Sequence, residues 1–204
     1  MRPLPRLLAV TDDRVCGADD FPIRAAAILS AGSSVAVVVR APGAAEGTVR
    51  GYLERVRALA RPTEAATIAH DDPTLGKLAG VQGVHLEAAG VDPGAARATF
   101  GRGWVGVSVR SLDEADRAVA GGADYLVAEG IFAAAPSTGG GLDWLRAVAS
   151  RGAPVFAGGV VTREQVASLA AAGAWGLAPT GDLWTGADPA GATAEWLAAL
   201  HPLG

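Results

Sequence analysis

Ser111-Leu-Asp-Glu-Ala-Asp-Arg-Ala-Val-Ala-Gly-Gly-Ala-Asp-Tyr-Leu-Val-Ala128 contains the unit from which the whole chain is built. Its first four residues match a capping box, in which a serine hydroxyl and a glutamate three residues on satisfy the free amides that open a helix. An amphipathic helix follows, and Gly121-Gly122 ends it. Glycine just past a helix adopts the left-handed backbone at no steric cost, so the pair is a stop. Tyr125-Leu126-Val127 is then a short strand.

The same order of helix, small turn and strand recurs along the chain. Ala31-Gly32 leads into Val35–Val39, Ala79-Gly80 into Val84–Leu86, and Ala172-Gly173 into Trp175–Leu177. Strands over Leu7–Thr11, Ala65–Ala69, Val105–Ser108 and Val155–Ala157 fill the gaps. Helices are expected near 21–30, 48–60, 73–78, 93–99, 112–120, 142–150, 163–172 and 189–199, and Thr162-Arg-Glu-Gln165 repeats the capping box. Continuous apolar strands are buried on both faces, and their strict alternation with helices requires right-handed crossovers between parallel strands. Such units either close into a barrel or form an open doubly wound sheet. No Gly-x-Gly-x-x-Gly follows the first strand, which disfavours a dinucleotide-binding sheet. The expected fold is α/β, a single-domain (β/α)8 TIM barrel spanning 1–204.

Composition bounds the function. The 204 residues carry a net charge of −4, with no basic run of the kind a nucleic-acid partner needs. The single Cys16 cannot form an internal disulfide, no leader pattern opens the chain, and no apolar run approaches a bilayer span. A cytoplasmic protein with no membrane partner is expected. The chain admits a homodimer, but nothing in it specifies one.

In a barrel of this kind, chemistry sits at the carboxyl ends of the strands. Gly158-Gly159 after strand seven, with Thr180-Gly181 after strand eight, leaves backbone amides open toward one concavity, the recurring place for a phosphate. The same glycines would also serve as plain tight turns. Arg40 ends an apolar run and emerges at the rim, where a guanidinium can hold phosphate or carboxylate, or simply be solvated. His70 and Asp71 after strand three suit base and orienter, or metal ligands, while Asp71 or Asp72 before Pro73 also suits a helix cap. His85, within its strand, reads as a hydrogen-bonded core histidine. Glu129 ends strand six, where packing does not account for a carboxylate. Ala133–Gly141 reads as a loop able to close over substrate, with Ser137 and Thr138 as its ligand donors.

These landmarks, in this order, resemble the thiamine phosphate synthase/TenI family. Leu8-Ala9-Val10-Thr11-Asp12 is similar to the family's opening strand, Arg40 to the arginine of its Gln-Leu-Arg-Glu-Lys motif, and Gly83-Val84-His85-Leu86 to its Gly-Val-His-Leu strand. Gly106-Val107-Ser108, Gly122-Ala123-Asp124-Tyr125, Ile131-Phe132 and Gly158-Gly159-Val160 fall where the family has like segments. The resemblance implies a small phosphorylated substrate, with Gly158, Gly159, Thr180 and Gly181 on phosphate and Arg40, Ser108, Ser137 and Thr138 on the rest of the substrate. It implies one of two reactions. A synthase joins hydroxymethylpyrimidine pyrophosphate to hydroxyethylthiazole phosphate with Mg²⁺, whereas a TenI-type enzyme tautomerises a thiazole carboxylate phosphate and requires no cofactor.

The chain departs from both. Val38 and Pro42 replace the motif's glutamine and lysine, and His70-Asp71 replaces Asn-Asp, leaving Asp71 as a Mg²⁺ ligand. The second metal aspartate is lost within Glu87-Ala88-Ala89-Gly90, with Glu87 or Asp92 as substitutes. Gly130 replaces the tautomerase histidine, beside Glu129. With the pyrophosphate apparatus thinned, the reading placed first is a tautomerase-type enzyme using Glu129 or His70 as its base. A divergent synthase comes second and a non-catalytic phosphate-binding barrel third.

Overall fold

The computed structural model describes residues 2–132, 140–179 and 181–200. Its strands are β1 (Leu7–Val10), β2 (Val35–Val39), β3 (Ala66–His70), β4 (Gly83–Glu87), β5 (Trp104–Val109), β6 (Tyr125–Ala128), β7 (Val155–Gly159) and β8 (Ala174–Pro179). All pair in parallel with their chain neighbours, and β8 closes on β1, giving the eight-stranded barrel expected. Around it run α1 (Asp13–Cys16), α2 (Phe21–Leu29), α3 (Glu46–Ala60), α4 (Pro73–Ala79), α5 (Pro93–Phe100), α6 (Leu112–Ala120), α7 (Leu142–Ala149), α8 (Val166–Ala171), α9 (Asp182–Thr185) and α10 (Pro189–Leu200).

Both capping motifs open helices, with a difference. At Thr162 the box is reciprocal, and a 3-10 turn over Arg163–Gln165 precedes α8. At Ser111 the hydroxyl accepts from the Glu114 amide at 3.2 Å, but Glu114 Oε2 accepts from the amide of Arg110, at 2.6 Å, one residue earlier than the motif implies. The short α1 was not anticipated, because four residues carry no helical period. Asp12 caps α1, accepting from the Val15 amide at 2.7 Å.

Successive strand residues face opposite sides, so each strand feeds two cores. The larger lies between strands and helices; the smaller fills the barrel and includes Leu8, Val38, Ile68, Trp104, Tyr125, Val127 and Phe156. The inner core leaves no room to spare. Gly106 pairs across the sheet with Tyr125, and a β-carbon added at Gly106 would lie far inside contact distance of Tyr125 Cζ.

The floor of the barrel is laid by the amino-terminal segment. The Arg2 carbonyl accepts from the Trp104 indole at 3.3 Å, Leu4 packs on the inner core, and the Pro5 carbonyl accepts from the Trp175 indole at 3.0 Å. Ring closure follows directly: Leu7 is the sole β1 residue in register with β8, opposite Leu177, whose amide donates to the Arg6 carbonyl at 2.9 Å. No helix among the described residues is long and apolar enough to cross a membrane.

Candidate active site

At the carboxyl mouth the same alternation turns from packing to polar chemistry. Ile68 and His70, Val38 and Arg40, Tyr125, Val127 and Glu129, and Gly106, Ser108 and Arg110 continue the inward faces of β3, β2, β6 and β5. They open on a cavity of about 620 Å³, within the size range of small-molecule sites. Arg40, His70, Ser108, Glu129, Gly158, Gly159 and Gly181, all expected at a site, line it together. Ser137, Thr138 and Thr180 lie outside the described residues.

A directional chain of hydrogen bonds crosses the cavity floor. Glu129 Oε1 accepts from the Ser108 hydroxyl at 2.9 Å, and Ser108 Oγ lies 3.0 Å from His85 Nε2. A carboxylate only accepts, so the serine proton is committed to Glu129 and Nε2 must carry the proton that meets Ser108 Oγ. His85 Nδ1 is then an acceptor, and the Tyr125 hydroxyl at 3.3 Å supplies the donor. Burial raises the Tyr125 phenol well above its ordinary range, with Asp124 adding to the effect, so it stays protonated. His85 is thus the buried, satisfied histidine that its place in a strand suggested, and it also forms part of the cavity wall.

Burial, seconded by His70, pushes His85 down from 6.5 to about 3. The unfolded histidine takes its proton near 6.5 while the folded one refuses it until about 3, so the unfolded state binds more protons within that window. The stability due to His85 is complete above pH 6.5 and is lost as pH falls toward 3. Burial also lowers His70, against the upward pull of Asp71 and Glu87, so its contribution to stability depends on pH with the same sign as that of His85. Urea unfolding is expected to lose up to about 1.4 kcal/mol per pH unit from His85 on acidification, with His85→Gln flattening the slope. An unaltered slope in that variant would remove His85 from the account.

The cavity is polarised. Arg40 stands at the β2 mouth, its backbone clamped to β1: the Arg40 amide donates to Thr11 Oγ1 at 2.8 Å, and the Thr11 hydroxyl donates back to the Arg40 carbonyl at 3.0 Å. Among the described residues the Arg40 guanidinium makes no ion pair. Arg14 on α1 and Arg24 on α2 also line the cavity; sequence reasoning missed both, because Arg14 sits on the unforeseen helix and Arg24 inside an apolar one. Arg24 is engaged by Asp20 at 2.6 Å. Four strands around the ring from β2, the β6 mouth presents Glu129. Beside it, Gly159 adopts φ +94°, a backbone that other residues rarely take, and a β-carbon there would meet nothing within 4 Å. Its surroundings are therefore open, as an anion cradle requires.

Asp71 departs from expectation. It lies one residue beyond the inward-facing His70, at φ +56°, and lines a neighbouring cavity between β2 and β3 instead of the main one. The helix-cap role falls to Asp72, which accepts from the Leu75 amide at 2.7 Å. Asp71 Oδ1 accepts from the Glu87 amide at 2.8 Å, and Oδ2 faces His70 Nδ1 at 3.4 Å. Glu87 faces His70 Nε2 with one oxygen, at 3.5 Å, and Arg110 with the other, at 3.1 Å. Glu129 divides its oxygens between Ser108 and Arg110. Mg²⁺ requires near-octahedral oxygen ligands, typically one or two carboxylates with waters and substrate phosphates. Both oxygens of Asp71, of Glu87 and of Glu129 are already engaged, and among the described residues no three metal-ligating side chains converge. The donor set does not fit the ion.

A closed eight-stranded barrel with its polar cavity at the carboxyl mouth is the architecture of a (β/α)8 enzyme-type barrel. The thiamine monophosphate synthase family profile matches residues 7–183, and the chain belongs to that family. It is 38% identical over 210 aligned residues to a thiamine-phosphate synthase of Salinispora tropica, covering 98% of this chain and 99% of the relative. It is 37% identical to that of Salinispora arenicola, with the same coverage. Among solved structures, the thiamine phosphate pyrophosphorylase of Pyrococcus furiosus superposes with a TM-score of 0.84 at 24% identity, covering 97% of this chain and 96% of that one.

Proposed function

We propose that this chain condenses hydroxymethylpyrimidine pyrophosphate with hydroxyethylthiazole phosphate to give thiamine phosphate. The observation carrying this reading is the polarity of the cavity, with Arg40, which makes no ion pair among the described residues, across the ring from Glu129. The relatives named thiamine-phosphate synthase favour the condensation over the tautomerisation ranked first from the sequence. In the condensation the methylene–oxygen bond breaks and pyrophosphate leaves with the electron pair. The thiazole nitrogen lone pair then forms the new bond to the methylene carbon. Arg40, with Arg14 beside it, meets charge building on the leaving group, and such preorganised charge acts where the transition state needs it. Glu129, fixed by Ser108 and Arg110, faces the positive charge that develops on the methylene. The amides of Gly158 and Gly159, with Thr180 and Gly181 after β8, take the thiazole phosphate.

Mixing the two substrates with the protein and following thiamine phosphate by chromatography tests the reading, and absence of product overturns it. Glu129→Gln is expected to lower the condensation rate by about 10²-fold, with thiazole phosphate affinity held within a few-fold. The bond from Ser108 to Glu129 also favours a second reading, in which Glu129 is the base of a thiazole tautomerase. Turnover of a thiazole carboxylate phosphate, abolished in Glu129→Gln, would establish that one instead.

A further inference from the structure

Arg110 stands between two carboxylates of the rim. It extends the inward face of β5 beyond Gly106 and Ser108, and the Glu114 carboxylate at the start of α6 holds its amide. Its Nη2 reaches Glu87 at the end of β4 and Glu129 beyond the end of β6. Two carboxylates drawn together from strands on either side of β5 repel unless a cation lies between them, and a tethered guanidinium provides that charge without being drawn from solution. The remaining oxygens of the pair face His70 and Ser108.

We infer that Arg110 is the resident cation of this rim, replacing a divalent ion, so that the chain binds pyrophosphate in the absence of Mg²⁺. The pyrophosphate part rests on the condensation reading; the exclusion of the metal does not. An exposed ion pair stabilises little, and Arg110 is half exposed, so its role is one of occupancy and charge placement more than of folding energy. With Arg110 in place, one of the two negative charges is balanced within the protein, and the anion is left to Arg40 and Arg14.

Calorimetry on the full chain decides the matter, using MgCl2 alone and inorganic pyrophosphate with either MgCl2 or EDTA. The wild type should show no Mg²⁺ binding, and its pyrophosphate affinity should stay within about two-fold when EDTA replaces Mg²⁺. Arg110→Gln should gain Mg²⁺ binding, seen also as a rise in melting temperature with MgCl2, and Arg110→Lys should remain indifferent because it keeps the charge. A wild type that binds Mg²⁺ alone, or whose pyrophosphate affinity falls about tenfold in EDTA, would overturn the inference. So would an Arg110→Gln variant that folds and is as indifferent to Mg²⁺ as the wild type. If Arg110→Gln does not fold, the wild type and Arg110→Lys carry the decision through the MgCl2 titration. Should pyrophosphate bind under no condition, the condensation reading falls, and the MgCl2 titration still decides the role of Arg110.

Discussion

Replacing Arg40 by methionine should cut kcat/KM for the condensation by about two to three orders of magnitude, the usual effect of removing one preorganised group from a developing charge. The arginine enters the cavity with its backbone held on both sides by Thr11 and its guanidinium without an ion pair among the described residues. The loss should therefore fall on the pyrimidine pyrophosphate, with the KM for thiazole phosphate almost unchanged. Arg40→Lys should recover part of the rate, because it restores charge but not the planar fork. Steady-state kinetics with each substrate varied in turn provide the measurement. An equal rise in both KM values would place Arg40 outside the leaving-group site.

The second large effect concerns folding. Gly106→Ala puts a methyl group into the space of the Tyr125 ring, at a cross-strand pair inside a filled barrel. Overpacking of this severity should cost roughly 3 kcal/mol in urea unfolding. Tyr125→Leu vacates that space, so the double variant should be destabilised by less than the sum of the two single changes. Simple additivity would mean that the ring and the glycine do not meet as described.

The architecture was legible because its evidence repeats. Helix stops at Gly32, Gly80, Gly122 and Gly173 all take positive φ, and each precedes a strand at its expected place. Boundaries moved by a residue or two where pairing ran on past the apolar residues, as at His70 and Glu87. The site was partly legible. Knowing the strand ends was enough to bring Arg40, His70, Ser108 and Glu129 to one mouth, since a barrel gathers them there whatever else the sequence does.

What sequence reasoning lacked was the inward or outward sense of each residue. His70 and Asp71 were taken together, yet of the two only His70 lines the main cavity, and Asp71 is confined to the neighbouring one. Ser108 and Arg110, two residues apart and in step with Gly106, fall on one face, as alternation along a strand requires. Nothing in the linear order shows that His85 sits between Tyr125 and Ser108, because those contacts join residues 40 and 23 positions apart.

The segment that floors the barrel has a practical bearing on how the protein is handled. Arg2, Leu4 and Pro5 reach from the β5 indole to the β8 indole, and Arg6 then joins the seam between first and last strands. Displacing these residues would pull on the stitch that keeps the ring shut. Cutting back to Leu7 strips both indoles of their acceptors and uncorks the end of the molecule farthest from its chemistry.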